Sequence, residues 1–313
     1  MSATVRPHRR RADPRAAFGD AWEDLRRVSS WRGLWLVAHC WGVIVLCLWA
    51  SVQFPHPLVW LAAVVIVGAR QLGLAILMHE AAHGLLHPKP RVNDAVGEWL
   101  CAAPVGVTLD GYRRYHLQHH KHTQTERDPD LGLSAPFPVS RASLRRKIVR
   151  DLTGQTFLKQ RIGLAKLKAG GRGAAGLPDD ALPRVAPFLV TNAVLFAALL
   201  IAGLGPAFLL WLIAMATWFP LATRLRNIAE HACVASDEDP YTHARTTHAN
   251  ILERALIATY WVNYHAEHHL FMYVPCYNLP AAHRMLRKRG LAGRIKTAPG
   301  YWDVLRECAG APA

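Results

Sequence analysis

Four apolar stretches constrain the fold of this chain more than any other feature of its sequence. Each is about 20 residues long and nearly free of charged side chains, and a helix of that length crosses the ~30 Å hydrocarbon core of a bilayer. The stretches are residues 34–54, 58–78, 184–204 and 206–225. The sequence therefore predicts an all-α protein with four transmembrane helices.

Two very short connections pair these predicted spans into helical hairpins. Residues 55–57 join the first two spans, a turn at residues 203–206 joins the last two, and neither connection contains lysine or arginine. The positive charge is concentrated in the N-terminal region, the central loop and the C-terminal region. By the positive-inside rule, we expect both termini and the central loop on the cytoplasmic side of the membrane.

The formal net charge of +15 raises the question of a nucleic-acid partner. With four predicted spans, we attribute this charge to membrane topology and to contact with anionic lipid headgroups, and we expect no nucleic acid. The six cysteines are scattered and form no CxxC pair, which indicates a reducing compartment and no disulfides. We expect a multi-pass protein of the lipid bilayer, in a bacterial inner membrane.

The segments around the spans carry weaker signals. Residues 93–107 are apolar but short, and they predict an interfacial or re-entrant helix. Residues 141–168 combine apolar positions at helical spacing with many basic side chains, as in an amphipathic helix on a membrane surface. A glycine-rich link, 169–176, follows. Arg70 lies within the second span, and we expect its side chain to snorkel toward the cytoplasmic face rather than to meet a substrate headgroup.

Three clusters of histidine lie beside the predicted spans, all on the predicted cytoplasmic side. Residues at i, i+3 and i+4 of a helix share one side, so each cluster presents two or three imidazoles in one direction. Neutral imidazole suits iron, zinc and copper, and eight histidines exceed what one metal ion can use. The count therefore indicates two metal ions. The clusters consist of His79 and His83; His116, His119 and His120; and His265, His268 and His269.

A ninth candidate ligand, His231, follows the fourth predicted span. Asn227 precedes it by four residues and so lies on the same helical face. Carboxylates near the clusters can orient ligand imidazoles through the second ring nitrogen, and Glu230 and Asp128 are the strongest candidates for this role. Glu267 lies about 200° around a helix from His265, so we expect it to point away from the metals.

The residues around the clusters resemble one family. The sequence around the first cluster is His79-Glu-Ala-Ala-His83-Gly. Around the second it is His-His-Lys-His-Thr-Gln-Thr-Glu-Arg-Asp-Pro-Asp (residues 119–130), and around the third Asn-Tyr-His-Ala-Glu-His-His (residues 263–269). This pattern is similar to that of the membrane fatty acid desaturases. The resemblance covers residues 34–290, leaving a basic cytoplasmic N-terminus (1–33) and a cytoplasmic C-terminal tail (291–313).

The resemblance implies a di-iron centre that is held by a helical cytoplasmic cap. Two Fe²⁺ ions would use O₂ as co-substrate to insert a double bond into a fatty acyl chain, carried as an acyl lipid or an acyl thioester. Asn227 would contact one iron through water, and no protein side chain beyond the ligands need act catalytically. The implied ligands are His79, His83, His116, His119, His120, His231, His265, His268 and His269.

Electrons must come from another protein, because the sequence contains neither a haem-binding HPGG segment nor an iron–sulfur set of cysteines. The basic cytoplasmic surface, residues 141–168 in particular, suits a small acidic donor such as a ferredoxin or a b-type cytochrome.

Two other activities remain open from the sequence. A lipid or carotenoid hydroxylase or ketolase would use the same irons, and the histidine clusters do not separate it from a desaturase. The HExxH pattern at residues 79–83 also fits a membrane zinc protease, with Glu80 as general base. That second interpretation leaves both HxxHH clusters and His231 without a role.

Overall fold

The computed structural model describes residues 12–169, 185–235 and 239–310 of the chain. The glycine-rich link predicted at 169–176 lies outside these residues from position 170 onward, as does residue 184 of the third predicted span. The chain is mostly helical. Its helices are α1 (Pro14–Phe18), α2 (Ala21–Leu25), α3 (Arg32–Gln53), α4 (Pro57–Ala82), α5 (Pro90–Val96), α6 (Leu109–His122), α7 (Leu131–Ser134), α8 (Arg141–Leu152), α9 (Gln155–Ala169), α10 (Val185–Ile201), α11 (Ala207–Ala216), α12 (Trp218–His231), α13 (Ile251–Leu256), α14 (His265–Leu270), α15 (Leu279–Lys288) and α16 (Tyr301–Cys308).

Three helices in the described part of the chain are long and apolar enough to cross a membrane. They are α3, α4 and the continuous run Ala207–His231, which is divided into α11 and α12 by the non-helical backbone of Thr217 (φ −121°, ψ −76°). The third predicted span corresponds to α10, an apolar helix of 17 residues. The count of four spans therefore depends on this shorter helix and stays a prediction.

Helix α4 continues one turn past the predicted end of its span and carries the first histidine cluster in that turn. It ends in a Schellman motif, in which Gly84 (φ +75°) donates to the carbonyl of Ala81 and Leu85 donates to the carbonyl of Glu80. The left-handed backbone at Gly84 costs little because glycine has no Cβ. The helix is buried almost continuously from Val67 to Ala82, between α3, α11 and α12.

Two predicted helices differ in detail from the structure. The segment at 93–107 is an irregular helical run against α4, with α5 followed by a π-helical turn (Gly97–Ala102) and a 3-10 turn (Ala103–Val105). The single amphipathic helix predicted at 141–168 is two helices, α8 and α9, because the chain turns at Gly154 (φ +76°). The buried carboxylate of Asp151 then pairs with Arg224 of α12.

The chain also contains a short parallel strand pair that the all-α prediction missed. Strand β1 (Arg245–Thr247) pairs with β2 (Lys296–Ala298), with Arg245 opposite Lys296. Three-residue strands are too short to leave an alternating hydrophobic pattern in the sequence. Further 3-10 turns occur at Thr259–Trp261, Cys276–Asn278 and Ala292–Arg294. β1 contacts α12 and α14, so it connects two helices that carry histidines.

Candidate metal centre

The last turns of α4 and α12 meet α6 and α14 at one place, and all nine predicted histidines lie there. They form two groups, and within each group the nearest side-chain nitrogens all lie within 4.8 Å of one another. The five-histidine group contains His79, His83, His116, His120 and His268. The four-histidine group contains His119, His231, His265 and His269.

Each HxxHH cluster supplies both groups. On α6, His116 and His120 are one turn apart and join the five-histidine group, whereas His119 turns toward the other group. On α14 the relation is reversed: the i, i+4 pair His265 and His269 belongs to the four-histidine group and His268 to the other. Residues at i and i+4 lie closer to one line along a helix than residues at i and i+3 do, which is why each pair stays together.

Hydrogen bonds to the outer ring nitrogens test whether the four-histidine group fits a metal. His119 donates from Nδ1 to Asp128 (2.8 Å), and His231 donates from Nδ1 to the carbonyl oxygen of His243 (3.2 Å). In a neutral imidazole the other nitrogen is then a bare acceptor. The two Nε2 atoms are nevertheless 3.2 Å apart. Two lone pairs at this distance repel each other unless a cation lies between them, so the residues fit a metal ion.

The five-histidine group shows the same crowding. The Nε2 atom of His116 lies 3.0 Å from that of His83 and 2.9 Å from that of His120, which is itself 3.0 Å from Nε2 of His268. His79 is 3% exposed, and neither of its ring nitrogens has a hydrogen-bond partner. A buried imidazole with two unsatisfied nitrogens is costly. A metal ion bound by one of them would remove part of that cost.

Burial keeps these imidazoles neutral, as metal ligation requires. Burial and then Arg113 lower the pKa of His83 to about 3. Burial, followed by the neighbouring imidazoles, also lowers the pKa of the ligand candidates on α6 and α14 well below the usual histidine value. These are His116, His120, His265, His268 and His269.

The two carboxylates predicted to orient ligands both lie beside a histidine. Asp128 accepts from His119 and also from the backbone N–H groups of Gln124 and Asp130. Glu230 lies 3.3 Å from Nδ1 of His265 and is paired with Arg226 at 2.6 Å. Asp128 can therefore hold its imidazole in one orientation by a hydrogen bond, whereas Glu230 lies near Nδ1 of His265 without bonding it.

The structure places the other polar candidates less centrally. Asn227 is half-buried on α12, one turn before His231, and its contact with a metal through water stays a prediction. Glu267 points away from both groups, as expected, and is fully buried, where it accepts from Thr246 and His283 (2.6 Å). Glu80 accepts from the backbone N–H of Cys276 (2.7 Å), which ties the first histidine cluster to the chain just after the last one.

Two structural residues near the centre were not found from the sequence. Arg226 is the ion-pair partner of Glu230, with 11% of its side chain exposed. Arg245 of β1 is buried and donates to the carbonyls of Ala229 (3.0 Å) and Ala232 (2.8 Å) at the end of α12. Arg226 precedes Glu230 by four residues, a spacing that could have indicated the pair. Nothing in the sequence around Arg245 distinguishes it from the many other arginines.

Cavities reach the histidines from two sides. A cavity of about 350 Å³ exposes His120 and His269, one from each group, and is walled by Trp22 of α2 and Phe271 after α14. A narrow slot of about 10 Å³ touches His79, His265 and His268, and its apolar wall includes Ile76. The larger volume lies at the lower limit of ligand pockets in proteins.

Comparison with known proteins adds a family and several relatives. The family model described as fatty acid desaturase matches residues 55–297, well over half of the chain. A dihydrorhizobitoxine desaturase of Bradyrhizobium elkanii is 26% identical over 263 residues, 80% of this chain and 73% of that protein. Beta-carotene ketolases of Paracoccus sp. strains PC1 and N81106 / MBIC 01143 are 37% and 31% identical over 108 and 103 residues. Each ketolase match covers 33% of this chain and only 40% of the ketolase.

Proposed function

We propose a reaction for this chain, which belongs to the fatty acid desaturase family. It inserts a double bond into a fatty acyl chain, and the two histidine groups hold the two iron ions that this reaction needs. The proposal is carried by one observation. Nine imidazoles converge in two groups, with the acceptor nitrogens of His119 and His231 facing each other at 3.2 Å. A desaturase among the relatives, with matches along most of both chains, supports the reaction type.

Bound in the two groups, the iron ions would supply the reduction of O₂ and the removal of two hydrogens from an unactivated methylene pair. The protein's part is to hold and orient the metal ligands and the substrate, and to exclude water from the site. Asp128 and the carbonyl of His243 keep the protons of His119 and His231 on Nδ1, so that Nε2 of both residues stays free. The ion pair of Glu230 and Arg226 lies beside the imidazole of His265.

Electron transfer to this site needs an external donor, and we propose that a small acidic ferredoxin or b-type cytochrome docks on the basic side of α8 and α9. Exposed cations there include Arg145, Arg146 and Lys159. Such a surface accelerates encounter with an acidic protein at low ionic strength. We also place this side, with both termini and the histidines, in the cytoplasm, and the apolar helices in the inner membrane of a bacterium.

A second candidate function uses the same metal centre. Two beta-carotene ketolases match at 31% and 37% identity, higher than the desaturase, although over about 100 residues. We therefore keep a lipid or carotenoid hydroxylase or ketolase as the alternative. Two observations count against the zinc-protease alternative. The carboxylate of Glu80 accepts a hydrogen bond from the backbone N–H of Cys276, and three further histidines surround His79 and His83.

The test is lipid mass spectrometry of a desaturase-free host that expresses the wild type, His119→Ala or His122→Ala. His122 lies three residues further along the same helix but belongs to neither group, so its variant is the matched control. We expect a new unsaturated acyl chain with the wild type and His122→Ala, and none with His119→Ala. A hydroxylated or keto product from the wild type would favour the alternative, and cleaved protein without any new lipid would refute both.

A further inference from the structure

Arg70 is buried in the membrane-spanning helix α4 without a counter-ion. We expected its side chain to snorkel toward the cytoplasmic face, but Arg70 is only 8% exposed. Its guanidinium donates to the backbone carbonyl of Ala255 on α13, and its Nε has no hydrogen-bond partner. No aspartate or glutamate pairs with it within residues 12–169, 185–235 and 239–310. A charged side chain at membrane depth is costly unless it is paired, and such residues commonly mark a substrate path.

Tyr260 and His39 surround this arginine. The guanidinium carbon of Arg70 lies 5.7 Å from the centre of the Tyr260 ring, and the Tyr260 hydroxyl is 3.1 Å from Nδ1 of His39. His39 is exposed on α3, so this cluster has one side that faces the lipid of the predicted bilayer. Tyr260 itself has a left-handed backbone (φ 53°, ψ 45°), which costs free energy in a bulky residue and is common at functional sites.

The same tyrosine closes the narrow slot at the metal centre. Its ring packs against Gly73 of α4, where an added Cβ would lie 2.9 Å from a ring carbon. The slot that this ring lines is also lined by Ile76, His79, His265 and His268. Tyr260 therefore lies beside the guanidinium of Arg70 and also lines the slot at His79, His265 and His268. Only a small residue at position 73 leaves room for its ring.

We propose that Arg70, with Tyr260 and His39, binds the carboxylate of a free fatty acid, whose chain then runs along α4 to the metal centre. This inference rests on the proposed function and names its substrate class. A carboxylate can take two parallel hydrogen bonds from the donors that Arg70 has left, and it supplies the missing negative charge. The carboxylate would enter from the lipid side past His39, and Tyr260 would turn aside to admit the chain.

The length of α4 predicts where the chain meets the metals. Nine residues separate Arg70 from His79, a rise of about 13 Å along the helix. An extended chain of tetrahedral carbons advances about 1.25 Å per carbon, so roughly ten or eleven carbons cover this distance. The double bond should therefore be placed about ten or eleven carbons from the carboxylate. Its position should stay fixed in acids of different length.

Competition binding tests the site without any turnover. The iron-loaded protein in detergent binds the fluorescent 18-carbon parinaric acid, which palmitic acid or its neutral methyl ester then displaces. For the wild type, we expect the acid to compete roughly 10- to 100-fold better than the ester, the range of a charge-assisted hydrogen-bonded pair. Arg70→Met should reduce the acid to the level of the ester, and Arg70→Lys should fall between, because lysine keeps the charge without the fork.

Arg161→Met is the matched control. This arginine also lies over aromatic rings (Phe157 at 4.9 Å, Phe188 at 5.0 Å), bonds a backbone carbonyl and has an unpaired Nε. Neither of its two rings lines the slot, whereas Tyr260, the ring beside Arg70, does. Equal competition by acid and ester in the wild type would overturn the inference even if every Arg70 variant failed to fold. A host in which the wild type forms double bonds counted from the methyl end would also overturn it, yet leave the proposed desaturase activity intact.

Discussion

Replacing Asp128 with asparagine should weaken metal binding in the four-histidine group more than in the five-histidine group. The carboxylate is 5% exposed and accepts three hydrogen bonds, with Oδ1 serving His119 (2.8 Å) and the Asp130 N–H (2.9 Å) and Oδ2 serving the Gln124 N–H (2.8 Å). Burial alone would raise the pKa of Asp128, but these hydrogen bonds lower it below the usual value. The residue is therefore ionised at neutral pH and fixes the proton of His119 on Nδ1.

The size of the effect follows from these contacts. In Asp128→Asn, the side-chain amide oxygen can replace Oδ1, which keeps His119 and Asp130 bonded but turns the amide NH₂ toward the Gln124 N–H. One buried donor then loses its acceptor, at about 1–3 kcal/mol of folding free energy. Loss of the charge behind His119 should lower metal affinity by roughly 10- to 100-fold, or about 1.4–2.8 kcal/mol.

Metal titration of the apoprotein, followed by elemental analysis at limiting free Fe²⁺, measures this effect. We expect two irons per chain in the wild type and about one in Asp128→Asn at an Fe²⁺ concentration that just saturates the wild type. Asp110→Asn removes a carboxylate from α6 itself, where it forms an exposed pair with Arg114, and should bind as the wild type does. Unchanged affinity for both irons in Asp128→Asn would refute the role we give to this carboxylate.

Three further outcomes can be measured on the purified protein. Gly97→Ala should destabilise by about 1–3 kcal/mol in denaturant titrations, because the added Cβ would lie 2.4 Å from that of Ala81 and the packed helices must separate; unchanged stability would contradict this packing. Arg245→Met should cost more than about 2 kcal/mol and lower iron content, since it leaves carbonyls at the end of α12 without donors, and full iron content would argue against a link to His231. The apoprotein should lose stability as pH falls from about 6.5 toward 3, because the folded state keeps His83 neutral (pKa about 3) while the unfolded chain takes up the proton; a Tm that stays constant over this range would show that burial of His83 is relieved in solution.

The sequence predicted which histidines come together better than it predicted how they divide into two groups, and their binding of metal stays a prediction. Spacing alone found eight of the nine histidines, because runs of His at i, i+3 and i+4 are rare and visible. His231 belongs to no cluster in the sequence, so only its position just after a predicted span identified it as a candidate ligand. Which histidine joins which group depends on the rotation of α6 and α14 about their own axes, and no pattern of residue types records that angle.

The fold was predictable where one physical constraint dominates. A run such as 58–78 needs only length and the lack of charge to indicate a buried helix, and α4 contains it whole. The break at Thr217 and the end of α8 before Gly154 depend on tertiary contacts, because helices on both sides have ordinary helical sequences. The partners of Arg70 also come from distant parts of the chain, 185 residues away in the case of Ala255.

The division of each HxxHH cluster between the two groups couples the two histidine groups mechanically. Any rotation or shift of α6 moves His119 in one site and His116 and His120 in the other at the same moment, and α14 does the same from the opposite side. A disturbance in one histidine group would therefore be transmitted to the other through a rigid helix less than four turns long. The separation of the two histidine groups is thus set by two short helices that each contribute to both.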